Sequence, residues 1–220
     1  MLANYKEKLE EIKAEIISIG NGLLKANELI VEGLKDCDEN IFNEAKSYIK
    51  NVSNIVKDID NNIITTLALH SPEAKDLRGM VSYLKITNEF LRASANTRNF
   101  IKGFTEECKN VDKKIIKDYA IPMQKSTVDA IKFSVDMLSI DCVDETQECF
   151  NKVVIAENKT DDLYEMIESE LFKQNPKDSD FNRFHKMLIV LRRSEKVADR
   201  AMSIASLLLY ANNGGEIHRV

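Results

Sequence analysis

Two carboxylate pairs, each spaced four residues apart, are the groups in this 220-residue sequence best suited to chemistry. Glu195 and Asp199 bracket Lys196-Val197-Ala198, and Glu157 and Asp161 bracket Asn158-Lys159-Thr160. On a helix, residues four apart share a face. If the two carrier helices are antiparallel neighbours with these faces turned together, four carboxylates converge, and their repulsion requires a cation or raised pKa values. An all-oxygen donor set favours Mg²⁺, Mn²⁺, Ca²⁺ or iron over a thiolate-seeking metal. Leu191, Val197 and Ala201 lie close by in sequence, so the Glu195/Asp199 pair sits beside apolar surface. Spacing alone favours a solvated stripe, because 30% of the residues are charged and such pairs arise often by chance. A di-iron bundle would want Glu-x-x-His on its helices, whereas the histidines are His70, His185 and His218, none of them in that motif. His185 reads as a surface or boundary residue.

Other chemistries find no machinery. There is no Gly-rich phosphate loop, Ser-His-Asp set or Cys-His pair, so the sequence reads as a non-enzyme. Cys37, Cys108, Cys142 and Cys149 form no CxxC pair and read as ordinary reduced thiols, partly buried. Met123, Met137, Met166, Met187 and Met202 read as core fillers. The Lys113-Lys114 and Arg192-Arg193 pairs are too small to mark a phosphate or membrane site. A net charge of −5, with no basic cluster interleaved with aromatics, excludes a nucleic-acid binder. The charged N-terminus has no signal-peptide character, and no stretch approaches the ~20 apolar residues of a membrane span, so a cytoplasmic location is expected.

The elements that must hold the acids are helices. Seven Gly, three Pro and 44% hydrophobic residues disfavour any sheet-based fold and supply a sizeable core. Breaks fall at 35–39, at His70-Ser71-Pro72, over 105–112, over 139–144 and over 174–180, which divides the chain into six long helices. Ser71 is suited to cap a helix whose first turn holds Pro72, and Asn175-Pro176 marks an equivalent boundary. Pro122 either starts the fourth helix late or kinks it. The last helix should stop near Asn212-Asn213-Gly214-Gly215. Apolar residues recur at helical spacing, as in Leu77, Met80, Val81, Leu84 and Leu91, or Phe181, Phe184, Leu188, Leu191 and Ala198. Helices of roughly 25 to 35 residues, about 40 to 50 Å long, suit near-parallel bundles.

The stretches after Pro72 and Pro176 align without gaps at a constant offset, with Leu84 matching Leu188, Arg92 matching Lys196 and Phe100 matching Ile204. The expected fold is therefore all-α: two tandem three-helix bundles of antiparallel helices related by an internal repeat. The expected units are residues 1–108 and 109–213, followed by a tail at 214–220.

The run Pro72-Glu73-Ala74-Lys75-Asp76-Leu77-Arg78, then Lys85-Ile86 and Arg92, resembles the PhoU family pattern of Pro, Ala-x-Asp-Leu-Arg, Lys-Ile and Leu-Glu-Arg-x-x-Asp. The second copy is similar over Leu191 to Ala205, and the ending from Leu209-Tyr210 through Gly214-Gly215-Glu216-Ile217-His218 also looks like that family's. In the family each three-helix unit contributes facing Glu/Asp-x-x-x-Asp pairs that hold a multinuclear metal cluster. Carried over by that resemblance, the second unit keeps both pairs, Glu157 with Asp161 and Glu195 with Asp199, while Lys196 replaces the usual Arg. In the first unit the positions matching Glu195 and Asp199 are Leu91 and Ala95, and the preceding helix offers Ile49 and Ser53, or Ser53 and Lys57. The resemblance thus implies one metal cluster, divalent or trivalent, of iron, Mn, Mg or Zn. It also implies a negative regulator of phosphate uptake and phosphate-starvation signalling that binds a phosphate ABC transporter and a sensor histidine kinase. Such a protein would form a homodimer and meet the membrane only through partners. The rival readings are a metal-dependent enzyme or metal-storage bundle, and a helical scaffold that has lost its metal.

Overall fold

The helices end where local chemistry stops them. In a computed structural model that describes residues 2–70, 72–108, 113–173 and 178–214, every regular element is helical. In order these are α1 (Leu2–Asp36), α2 (Glu39–Tyr48), α3 (Val52–Leu69), α4 (Ala74–Glu107), α5 (Lys113–Ile115), α6 (Ile121–Asp136), α7 (Val143–Lys173) and α8 (Asp178–Asn213). A π-helical turn (Ile116–Ala120) joins α5 to α6, and a 3-10 turn (Met137–Ser139) closes α6, so the eight pieces make six helical segments. Between α1 and α2, Cys37 takes a left-handed φ of 56° and the Asp38 carboxylate accepts from the Asn40 N–H at 2.8 Å, a conventional N-cap at the expected break. Gly214, at φ 72°, ends α8 as expected, and its N–H donates to the Tyr210 carbonyl at 2.9 Å.

The second segment is not one long helix. Asn51 adopts a left-handed φ of 63°, a conformation that Asn tolerates better than most residues, and splits the segment into α2 and α3. The freed Ile49 carbonyl accepts from Arg98 Nη1 at 3.5 Å. Against that break α1 approaches so closely that a Cβ on Gly22 would stand 2.8 Å from the Tyr48 backbone oxygen. Gly22→Ala is therefore expected to destabilise the fold by about 1–3 kcal/mol, because backbone must move. The control is Gly79→Ala, where a Cβ meets nothing within 4 Å and the gain in helix propensity should be about 0.5–1 kcal/mol. Equal melting temperatures for the two variants would contradict this close approach.

Three further expectations are corrected. α4 starts at Ala74 with Glu73 at the N-cap position and no side-chain cap, so Pro72 lies before the helix rather than in its first turn; Ser71 and Asn175-Pro176 lie outside the described residues. Pro122 does not start its segment late, one of the two expectations for it. The helix is already running, and the π turn before Pro122, in which the Ile121 N–H reaches back to Ile116, accommodates the missing donor. Leu77, Val81 and Met166 were expected in the core but are exposed, at 44%, 37% and 51%. The α4 core face is instead carried by Met80, Ile86, Phe90, Phe100 and Phe104.

One apolar core runs through both halves. Phe42 meets Phe104 edge-on at 5.8 Å and Phe104 stacks on Phe100 at 5.6 Å, tying α2 to α4. The halves join mainly where α4 lies against α8. There Arg200 Nη1 donates to Glu89 Oε2 at 3.0 Å and Arg193 Nη1 donates to Asn96 Oδ1 at 3.5 Å. Leu84 and Leu188 are 104 residues apart, and the same offset carries Glu89 to position 193 and Asn96 to position 200. The two contacts are thus images of each other under exchange of the halves, and the repeat seen in sequence is a local twofold in space.

At the centre of α1, α4, α6 and α8 the chain buries amides and hydroxyls rather than hydrocarbon. Asn27 Nδ2 donates to the Leu23 carbonyl at 2.8 Å and to Thr97 Oγ1 at 3.3 Å, while its oxygen accepts from Gln124 Nε2 at 2.9 Å. Gln124 Oε1 accepts from Ser194 Oγ, which lies 3.3 Å from Thr127 Oγ1. These five residues are at most 1% exposed, so each hydrogen bond here replaces one otherwise made to water.

Candidate metal centre

The carboxylates stand on two long helices that pack side by side. On α7, Val153, Ala156 and Thr160 turn inward; on α8, Leu191, Ser194, Val197, Ala198 and Ala201 do the same. Thr160 spends its hydroxyl on the Ala156 carbonyl at 2.9 Å, so it does not reach the acids. Glu157 and Asp161 therefore stand one turn apart at the edge of the buried α7 face, and Glu195 and Asp199 do so on α8.

Glu157, Asp161 and Asp199 each place a carboxylate oxygen within 4.8 Å of the others. Glu195 lies outside that triad but on the same face, where its charge acts on both α7 acids. Glu157 is the deepest, 6% exposed, and no hydrogen-bond donor reaches it among the described residues. Asp161 Oδ1 and Glu195 Oε2 are likewise buried without a donor. Burial, and then the charges of Asp161, Asp199 and Glu195, push the Glu157 carboxyl up to about 7, with Lys196 opposing. Burial, Glu195 and Asp199 raise Asp161 in the same way.

Lys196 is the component that spacing analysis did not assign. Its Nζ donates to Asp199 Oδ2 at 2.7 Å and to Glu195 Oε1 at 2.9 Å. Burial opposes its charge, but the bonds to Asp199 and Glu195 outweigh that and hold the ammonium above its usual range. The signal was present in sequence: Lys196 stands three residues before Asp199, within reach on one helical face. Asp199 also lies 3.7 Å from Arg200 Nη2, whose other nitrogen holds Glu89 of α4, so the acidic site is linked by charge to the first half.

These donors fit a hard cation. Three converging carboxylates, with the Glu195 carboxylate beside them, form an all-oxygen set, which suits Mg²⁺, Mn²⁺ or iron better than zinc, with its preference for nitrogen and sulfur. In the first half Leu91, Ala95, Ser53 and Lys57 supply no matching acid pair, and Ile49 is buried at the α2–α3 break. On α3, Asp60 accepts from Thr87 Oγ1 at 2.7 Å. Among the described residues, the cluster on α7 and α8 is the one group of acids, histidines or cysteines with metal-ligand proximity.

Comparison with known proteins bears on the family and the fold. The PhoU domain model matches residues 16–102 and again 112–208. The phosphate-specific transport system accessory protein PhoU homolog of Clostridium acetobutylicum is 24% identical over 218 residues, covering 97% of this chain and 96% of that protein. The homologue of the same name from Pseudomonas aeruginosa is 22% identical, with 98% and 88% covered. In three dimensions the chain is similar to PhoU from Pseudomonas aeruginosa, with a TM-score of 0.82 at 18% identity over 96% of this chain and all of that one. It is also similar to the phosphate transport system regulatory protein PhoU from Streptococcus pneumoniae, with a TM-score of 0.79 at 15% identity over 98% of this chain and all of that one.

Proposed function

The chain belongs to the PhoU family, and on that footing we propose that it is a cytoplasmic adaptor that restrains phosphate uptake and phosphate-starvation signalling by binding a phosphate ABC transporter and its sensor histidine kinase. The names of its relatives support the phosphate-transport part of this reading. It acts by binding rather than turnover, through long helical faces and self-association into a homodimer. No helix among the described residues is long and apolar enough to cross a membrane, which fits attachment through partners.

One cluster of a divalent or trivalent metal on Glu157, Asp161, Glu195 and Asp199 completes the proposal. The observation that carries it is the convergence of three carboxylates, Glu157 among them at 6% exposure, beside Asp161 and Glu195 oxygens buried without a donor. A bound cation would supply charge neutralisation to that face and join α7 to α8. The first test is elemental analysis of protein dialysed without chelator, wild type beside Glu195→Ala/Asp199→Ala. Metal is expected in the wild type and absent from the variant; its absence from both would remove the metal part and leave the adaptor. The adaptor part is tested by sedimenting the protein with membranes that do or do not overproduce the phosphate transporter. Equal recovery from both membranes would count against it.

A further inference from the structure

We propose that Lys196 is a resident counter-cation of the α7–α8 carboxylate cluster, and that a metal ion enters only by displacing its ammonium, so that Lys196 sets the metal affinity of this chain. The inference rests on the metal reading above and concerns what holds the site when no metal does.

The geometry has three parts. Lys196 Nζ lies 2.7 Å from Asp199 Oδ2, and Asp199 is itself one of the three converging ligands. Its second bond, 2.9 Å to Glu195 Oε1, spans the two α8 acids, so one ammonium takes an oxygen from each. The oxygens it leaves, Asp161 Oδ1 and Glu195 Oε2, are buried with no donor, and Glu157 is 6% exposed with none. Lys196 thus reaches one oxygen of each α8 acid and neither of the α7 acids. A divalent ion that also engaged Glu157 and Asp161 would compete with Lys196 for the Asp199 carboxylate.

Lysine suits this role because its charge is compact and its stem flexible: the side chain is 37% exposed, and four carbons let the ammonium swing to water when a stronger cation arrives. The first half offers a contrast at the matching position. Arg92 has no acid pair to bridge, is 57% exposed and pairs with Glu89 at 3.7 Å. The ammonium therefore sits over acids only in the half that has them.

The test uses full-length protein and Mn²⁺ as probe. Lys196→Met and Lys196→Arg are compared with wild type by calorimetric titration of Mn²⁺ and by thermal melting in chelator. In Lys196→Met the melting temperature without metal should fall, since two acids lose their partner, while Mn²⁺ affinity should rise by about tenfold or more with one positive charge removed from the site. Lys196→Arg should restore the metal-free melting temperature. Unchanged or weaker Mn²⁺ binding by Lys196→Met overturns the displacement and leaves the metal reading intact. If neither wild type nor Lys196→Met binds Mn²⁺, displacement and the metal reading both fail. A Lys196→Met protein that melts in chelator at the wild-type temperature overturns the resident role of the ammonium.

Discussion

Glu157→Gln is expected to weaken Mn²⁺ binding by about 100-fold or more while making the metal-free protein more stable at pH 8. The first effect follows from removing the deepest of three converging donors, since even the outer partners of metal ligands are typically worth roughly 10–100-fold. The second follows from linkage. Folding raises the Glu157 carboxyl from its ordinary 4.5 to about 7, so between those values the folded chain binds a proton that the unfolded chain has released. Stability therefore falls as pH rises through that window, and above it the full cost of a charged Glu157 is borne. The groups facing it are Asp161 on its own helix and Glu195, Lys196 and Asp199 on α8, so the cost is repulsion and burial, with one opposing ammonium. The site is open on one side, so solvent screens part of the effect. A gain of about 1 kcal/mol at pH 8, or roughly 2–4 °C in a chain of this size, is the expected scale. At pH 4.5 and below the two proteins should converge, because the carboxyl is then protonated in the folded state. Thermal melts in chelator from pH 4.5 to 8 check this. Parallel curves for wild type and variant would mean that Glu157 does not carry the strain.

The largest stability loss should come from the central polar network. Gln124→Leu is expected to cost about 3 kcal/mol, because it strands the Asn27 oxygen and leaves the Ser194 hydroxyl only its longer contact with Thr127 Oγ1, in a region where neither can reach water. The diagnostic is the double variant. With Asn27→Leu added, the Asn27 oxygen is no longer orphaned, so the combined loss should fall short of the sum of the single losses by about 1–2 kcal/mol. Urea denaturation of the four proteins gives the cycle, and strict additivity would show that Asn27 and Gln124 do not share one network.

The regulatory reading and these energetics meet at Arg200. It holds Glu89 at 3.0 Å and stands 3.7 Å from Asp199, so the same α8 turn serves the joint between halves and the carboxylate cluster. A metal bound at the proposed site would change the charge felt by Arg200, which stands 3.7 Å from Asp199.

The sequence by itself determined whatever depends on neighbours along one helix. Few Gly and Pro and a 3.6-residue periodicity settled the all-α class, the breaks near Cys37 and Gly214 carried recognisable chemistry, and the four-residue spacing put each acid pair on one face. The symmetric Glu89–Arg200 and Asn96–Arg193 contacts obey the same offset of 104 residues that relates Leu84 to Leu188, because a repeated helix packs against its copy in a repeated way. Only the tertiary structure decided which helix lies opposite and at what rotation. That choice brought Glu157 to Asp199, turned Met166 outward, and opposed Asn27 to Gln124, 97 residues away. It also left Asn51, one polar residue among many, as a left-handed break, and drew Lys196 over two acids instead of into solvent. The physical reason is range. Helix periodicity is written by contacts three and four residues apart, whereas the direction of a charged side chain depends on the field of groups that only packing assembles.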